Sequence, residues 1–112
     1  MIEAVFYEEK DGRISAFSVR GHSGTASKGR DIVCAGVSAL TQTALLGLGR
    51  HLNRELSYSV APNGELRMKL KDAPDDLTEA ILQTLRLGLG EIEKLYPKAV
   101  RLRNAGGECL EF

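Results

Sequence analysis

Apolar and polar positions follow two different periods along this chain, and the switches between them predict seven elements. The opening stretch, Met1 to Tyr7, carries Val5, Phe6 and Tyr7 and runs into Lys10-Asp11-Gly12-Arg13. The Asp-Gly pair tolerates positive φ and predicts a tight turn, which places a second strand at Ile14 to Arg20. From Asp31 the spacing becomes helical. Val33, Val37, Leu40, Ala44, Leu48 and Leu52 recur three or four residues apart and share one face, with Asp31 as the N-cap candidate and the helix fading between Gly47 and Asn53.

The second half repeats the pattern without obvious sequence identity. Leu56 to Val60 and the run Leu66, Met68, Leu70 flank Asn63-Gly64 and predict another hairpin; its second strand alternates against Arg67, Lys69 and Lys71, with one face buried and one wet. Pro74 to Glu79 opens a second helix, with Asp76 and Glu79 at capping-box spacing and an apolar stripe of Leu77, Ile81, Leu85, Ile92 and Leu95. Pro97 stops it, and Val100 with Leu102, flanked by Arg101 and Arg103, forms a last strand. The order β-β-α-β-β-α-β predicts an α+β fold: a two-layer sandwich of one mixed, largely antiparallel sheet with two helices on one face. Such a sandwich leaves the other sheet face or a helix flank partly apolar, so a homodimer is expected.

Length and charge narrow the function classes. The 112 residues suit a single domain, residues 1–112. Fifteen basic and fifteen acidic side chains cancel, so no global field draws the chain to nucleic acid or anionic lipid. With two cysteines, Cys34 and Cys109, and no secretory signal at the N-terminus, the expectation is a cytoplasmic protein with free thiols. The richest apolar segment, Ala44 to Leu52, is interrupted by Gly47, Gly49, Arg50 and His51, and no membrane span is expected.

The chemistry concentrates between Gly21 and Ser38. A helix starting after Asp31 puts Cys34 in its first turn, where unpaired N–H groups and the helix dipole favour a thiolate and offer oxyanion donors. The dipole alone, at ~0.3–1 kcal/mol, lowers a thiol pKa by well under one unit, so a neighbouring cation has to supply the rest. His51, on the same helix, is roughly 25 Å away at 1.5 Å per residue. His22 is the remaining histidine within the chain, and a loop carrying Gly21, Gly24 and Gly29 can return it to the helix start. A Cys–His pair is the minimal apparatus for acyl transfer. Asp31 either caps the helix or orients His22, and Ser38, one turn beyond Cys34, is a hydrogen-bonding accessory.

Rival readings rest on the same residues. Gly24 and Gly29 have the spacing of a phosphate loop, but Arg30 and Asp31 stand where lysine and a magnesium-binding hydroxyl belong. A non-enzymatic RNA-binding or ribosome-associated module would use Lys28, Arg30, Arg67, Lys69 and Lys71, without interleaved aromatics to stack bases. His22 and Cys34 lack companions at metal-ligand spacing, and neither metal nor cofactor is expected.

Gly21-His22, the twelve-residue step, and Asp31-Ile32-Val33-Cys34-Ala35-Gly36-Val37-Ser38 resemble the ribosomal-processing cysteine protease family, Prp, and the likeness extends over the whole chain in length and element order. The resemblance implies a catalytic pair at His22 and Cys34, accessory roles for Asp31 and Ser38, and a homodimer with a mobile substrate loop over the site. It also implies a peptide substrate, the precursor of large-subunit ribosomal protein twenty-seven of the bacterial series, which loses a short N-terminal extension without direct nucleic acid or membrane binding. The segment Ser23 to Lys28 matches no family signature residue by residue.

Overall fold

The computed structural model describes residues 1–21 and 28–112, with side chains described for 1–21 and 32–112. The strands are β1 (Ile2–Glu8), β2 (Ile14–Arg20), β3 (Leu56–Val60), β4 (Leu66–Leu70) and β5 (Val100–Gly106); the helices are α1 (Lys28–Leu46) and α2 (Asp76–Leu95). They form one sheet of order β3-β4-β2-β1-β5, in which only β1 and β5 pair parallel. The mixed, largely antiparallel α+β sandwich expected from the patterning is what forms. Both predicted turns close as Asp-Gly and Asn-Gly require: Gly12 and Gly64 each have φ +88°, and the side chains of Asp11 and Asn63 accept from the N–H groups of Arg13 and Glu65.

The sheet has two unlike faces. Ile2, Ala4, Phe6, Phe17, Val19, Leu66, Met68 and Leu70 are buried towards the helices. A β-bulge resets the alternation: Tyr7 pairs with Ala16 but Glu8 with Ile14, so Ser15 is the extra residue and Ile14 and Phe17 both reach the core. The opposite face is mixed: Glu3, Ser18, Arg20, Arg67 and Arg103 line it together with Val5, Tyr7 and Phe112.

From α1, Val33, Val37, Thr41, Ala44 and Leu48 are buried against the sheet; Thr41 is tolerated there because its hydroxyl donates to the Val37 carbonyl at 2.7 Å. A five-residue π-turn, Gly47–His51, ends the helix. By length and composition alone, residues Ile32–His51 reach what a membrane-crossing helix needs, a longer stretch than the Ala44 to Leu52 segment singled out in the sequence. Only a third of that stretch is buried, and Ile32 and Leu46 stand exposed outside the core-facing stripe.

The helices pack antiparallel through glycines. Gly36 faces Ile92, Leu40 faces Gly88 and Gly47 faces Ile81; a Cβ on Gly47 or Gly88 would come within 3.1 Å of the opposing side chain. In α2 the inward residues are Thr78, Leu82, Leu85 and Leu89, with Ile81 and Ile92 half-buried. Leu77 and Leu95 are 57% and 74% exposed, so the predicted stripe was rotated: the leucine-rich helix offers two overlapping stripes, and the seam with α1 selects one. The cap also moves by one. Asp75 is the N-cap, accepting from the N–H groups of Leu77 and Thr78, while the Thr78 hydroxyl returns to the Asp75 backbone. The Arg54 guanidinium and the Thr78 N–H beside it hold the Asp75 carboxyl below its ordinary value of 3.8.

Replacing Phe17 by alanine removes a ring whose centroid lies 5.9 Å from that of Phe6, and should cost ~3–5 kcal/mol in urea unfolding. Asp75→Ala should lower the unfolding midpoint more than Asp76→Ala, whose carboxylate only meets Arg13 at the surface. Because folding lowers the Asp75 pKa, its contribution is present above about pH 3.8 and fades as pH falls through the lower native value. Wild type and Asp75→Ala should therefore converge in acid.

Candidate active site

Cys34 sits on α1, half-buried, with its side chain partly packed against the core. Its direction follows from the helical repeat. Gly36, Leu40 and Gly47 face α2, and Val33, Val37, Ala44 and Leu48 face the sheet. Cys34, Ser38 and Leu45, at steps of four and seven, therefore occupy the opposite flank, the one turned away from α2. Gly49, in the π-turn, lies against Leu56 of β3, with its Cβ position 3.6 Å from the leucine methyl. The Cys34 flank of α1 thus looks towards β3 and β4. Ser38 shares this flank and is exposed.

Asp31 is not the N-cap. The helical backbone begins at Lys28, so Asp31 lies inside the first turns and Cys34 follows six helical residues. Lysine and arginine are good helix formers, and the single Gly29 does not prevent the helix from starting earlier. Two consequences follow for Cys34. Its N–H lies within the i→i−4 ladder and is not a free oxyanion donor, and the dipole, which acts within the first turn, contributes even less than the expectation allowed.

Gly21 closes β2 with φ +99°, and a Cβ there would lie 2.0 Å from the Met1 carbonyl oxygen. Its glycine is required by this backbone approach, which turns the chain out of the sheet just before His22. Gly29 is the second residue of α1. His22 and Gly24 lie outside the described residues, and so does any contact between His22 and Cys34 or Asp31. His51 is exposed at the end of the π-turn that follows α1, at the opposite end of that helix from Cys34.

The other cysteine, Cys109, is exposed and lines the open sheet face. On that face Arg67 is committed to Glu65 at 2.6 Å, which raises its pKa, and its guanidinium stands 5.4 Å from the centre of the Phe112 ring. Phe112 in turn meets Tyr7 edge-on. The aromatics that the strand pattern lacked come from the C-terminus and β1. Among the described residues no group of three or more His, Cys, Asp or Glu side chains has metal-site geometry. Sequence reasoning also missed Tyr58 and Val60, 46% and 56% exposed on β3, facing the side on which Cys34 opens. Their strand is the clue: an apolar alternation on an edge strand leaves an uncovered apolar face.

Known proteins match this arrangement. A family model described as cysteine protease Prp matches residues 1–101. The ribosomal processing cysteine protease Prp of Staphylococcus aureus is 30% identical over 95 residues, which cover 82% of this chain and 88% of that protein. The crystal structure of the essential ribosomal processing protease Prp from S. aureus in complex with a substrate peptide superposes with a TM-score of 0.85 at 25% identity, covering 93% of this chain and 99% of that one. The complex of that protease with a covalently linked product peptide gives 0.83 at 27% identity, with the same coverage. A Streptococcus mutans protein shares the fold, at a TM-score of 0.85 and 22% identity over 95% of this chain and 98% of its own.

Gly21→Ala combines a positive-φ side chain with a clash against Met1, and is expected to destabilise the chain by ~1–3 kcal/mol in chemical denaturation.

Proposed function

This chain belongs to the cysteine protease Prp family, and from that premise we propose that it removes the short N-terminal extension of large-subunit ribosomal protein twenty-seven of the bacterial series, with Cys34 as nucleophile and His22 as general base and then acid. The single observation that carries the assignment is the placement of Cys34: half-buried on α1, on the flank that α2 leaves uncovered. A core thiol on the sheet-facing stripe would be sealed from any peptide.

In this reading His22 takes the Sγ proton and the thiolate attacks the scissile carbonyl carbon. Collapse of the tetrahedral intermediate breaks the C–N bond, and the imidazolium gives its proton to the leaving amine. Water, deprotonated by the imidazole, then hydrolyses the thioester and restores both groups. Cys34 lies beyond the first turn of α1, where the helix dipole no longer favours a thiolate, so the burden of activation falls on His22. Asp31, displaced from the cap, is left with the orienting role towards His22, and Ser38 with a polar contact one turn from the thiol.

A ribosomal precursor is a cytoplasmic substrate, and we place the chain there. We also propose that two copies associate through the helical side. An apolar groove of about 490 Å³ between α1 and α2 is lined by Leu40, Ala44, Ile81 and Leu85, and Leu77 and Leu87 stand exposed on α2. Sedimentation should then report twice the mass of one chain; a monomer at tens of micromolar would refute the association.

Cys34→Ala should cut cleavage of the ribosomal precursor by at least about a thousandfold while leaving the unfolding midpoint near that of wild type. Lys69→Ala with Lys71→Ala should leave cleavage intact; if instead cleavage survives in Cys34→Ala and salt-dependent RNA binding is lost with the lysines, the chain is an RNA-binding module.

A further inference from the structure

The two edges of the sheet are not equivalent. At β5 the outward N–H of Leu102 is taken by the Glu93 carboxylate of α2 at 2.8 Å, so the helix covers that edge. At β3, among the described residues, no side chain bonds the outer edge. The phase of the β3–β4 ladder fixes which groups are free there. Lys71 N–H donates to the Glu55 carbonyl at 3.2 Å and Ala61 N–H to the Glu65 carbonyl at 2.8 Å. Antiparallel ladders alternate, so Ser57 and Ser59 bond to β4, while the N–H and C=O groups of Leu56, Tyr58 and Val60 point outward.

The side chains of those same three residues lie on the helix side of the sheet, in register with Leu70, Met68 and Leu66. Leu56 is covered by Gly49, but Tyr58 and Val60 extend beyond the helical layer and remain half exposed. Among the described residues, an unpaired backbone and an exposed apolar ledge therefore coincide on one short strand, beside the flank of α1 that carries Cys34. Val60 also lies in line with Leu66 and Val19, the position before Arg20 and Gly21, so the ledge sits at the end of the sheet from which the chain departs towards α1.

We infer that β3 is the docking strand for the peptide substrate: residues to one side of the scissile bond add to the sheet as a sixth strand. Their backbone pairs with Tyr58 and Val60, and every second side chain, apolar, rests on the Tyr58–Val60 ledge. This rests on the reading of Cys34 as a peptidase nucleophile, and it adds the strand and the residues that select the peptide. Strand addition supplies sequence-independent hydrogen bonds, and the ledge supplies selectivity at alternate positions. The occupant is an extended peptide because only an extended backbone matches outward groups spaced two residues apart.

The test uses Cys34→Ala protein and a synthetic peptide spanning the precursor's N-terminal extension, with one backbone nitrogen methylated at a time. Affinity, read by calorimetry, should fall roughly tenfold for methylation at alternate residues and little at those between. Val60→Pro removes an outward N–H without touching a β4 bond and should weaken the unmethylated peptide by a similar factor, its unfolding midpoint serving as control. Tyr58→Ser should reduce affinity for apolar residues at the alternate positions and leave polar variants unaffected. Uniform sensitivity to methylation, no sensitivity, or no binding at all would overturn the inference. Alternating sensitivity in a protein whose wild type cleaves no precursor would uphold the docking strand and defeat the peptidase assignment instead.

Discussion

The width of the helical layer governs this molecule. Glycines at Gly36, Gly47 and Gly88 let α1 and α2 approach more closely than side chains of ordinary size permit, with Leu40 and Ile81 filling the space that the missing methyls leave. A pair nested this tightly covers the buried middle of the sheet, β4, β2 and β1, and reaches β5 through Glu93, but on β3 it leaves Tyr58 and Val60 exposed. The same seam fixes the rotation of α1. Once Gly36, Leu40 and Gly47 face α2, and the valines face the sheet, the repeat of 3.6 residues leaves one direction for Cys34.

Local chemistry ties this layer in place. Carboxylates of α2 accept from backbone N–H groups of the sheet at two points, Glu79 from Ile14 at 2.9 Å and Glu93 from Leu102 at 2.8 Å. Arg54, leaving the π-turn, pairs with the cap residue Asp75, so the end of α1 and the start of α2 share one ionic contact. Charge-assisted hydrogen bonds of this kind are short, strong and directional, and they set how α2 lies on the sheet.

Much of this was legible in the residues. Turn chemistry located β2, β3 and β4 to the residue, because Asp11-Gly12 and Asn63-Gly64 mark where each hairpin reverses, and β4 adds a clean alternation of buried and more exposed residues. The parallel pairing of β1 with β5 leaves no local mark, since no turn joins them. The cap of α2 was misplaced because Asp75 and Asp76 are equally good caps and Thr78 and Glu79 both suit the third position. Asp31 misled for a related reason: a good cap residue does not stop a helix that can begin at Lys28. Cys34 stood out by residue type and spacing, and the structure sets it on the flank of α1 that α2 leaves uncovered, whereas His22 lies outside the described residues. The uncovered ledge was not legible, because exposure of Tyr58 and Val60 depends on how far α1 stands from β3, a distance the sequence of either element does not encode.

The parallel pair carries one more consequence, for when the sheet is completed. Ile2 finds its partner in Val100, so β1 is held on one side by residues synthesised long after it. Contacts so distant in sequence form late and slowly. A nascent chain that has emerged through α1 therefore still lacks β5 beside β1, and the five-stranded sheet closes only once Val100–Gly106 has been synthesised.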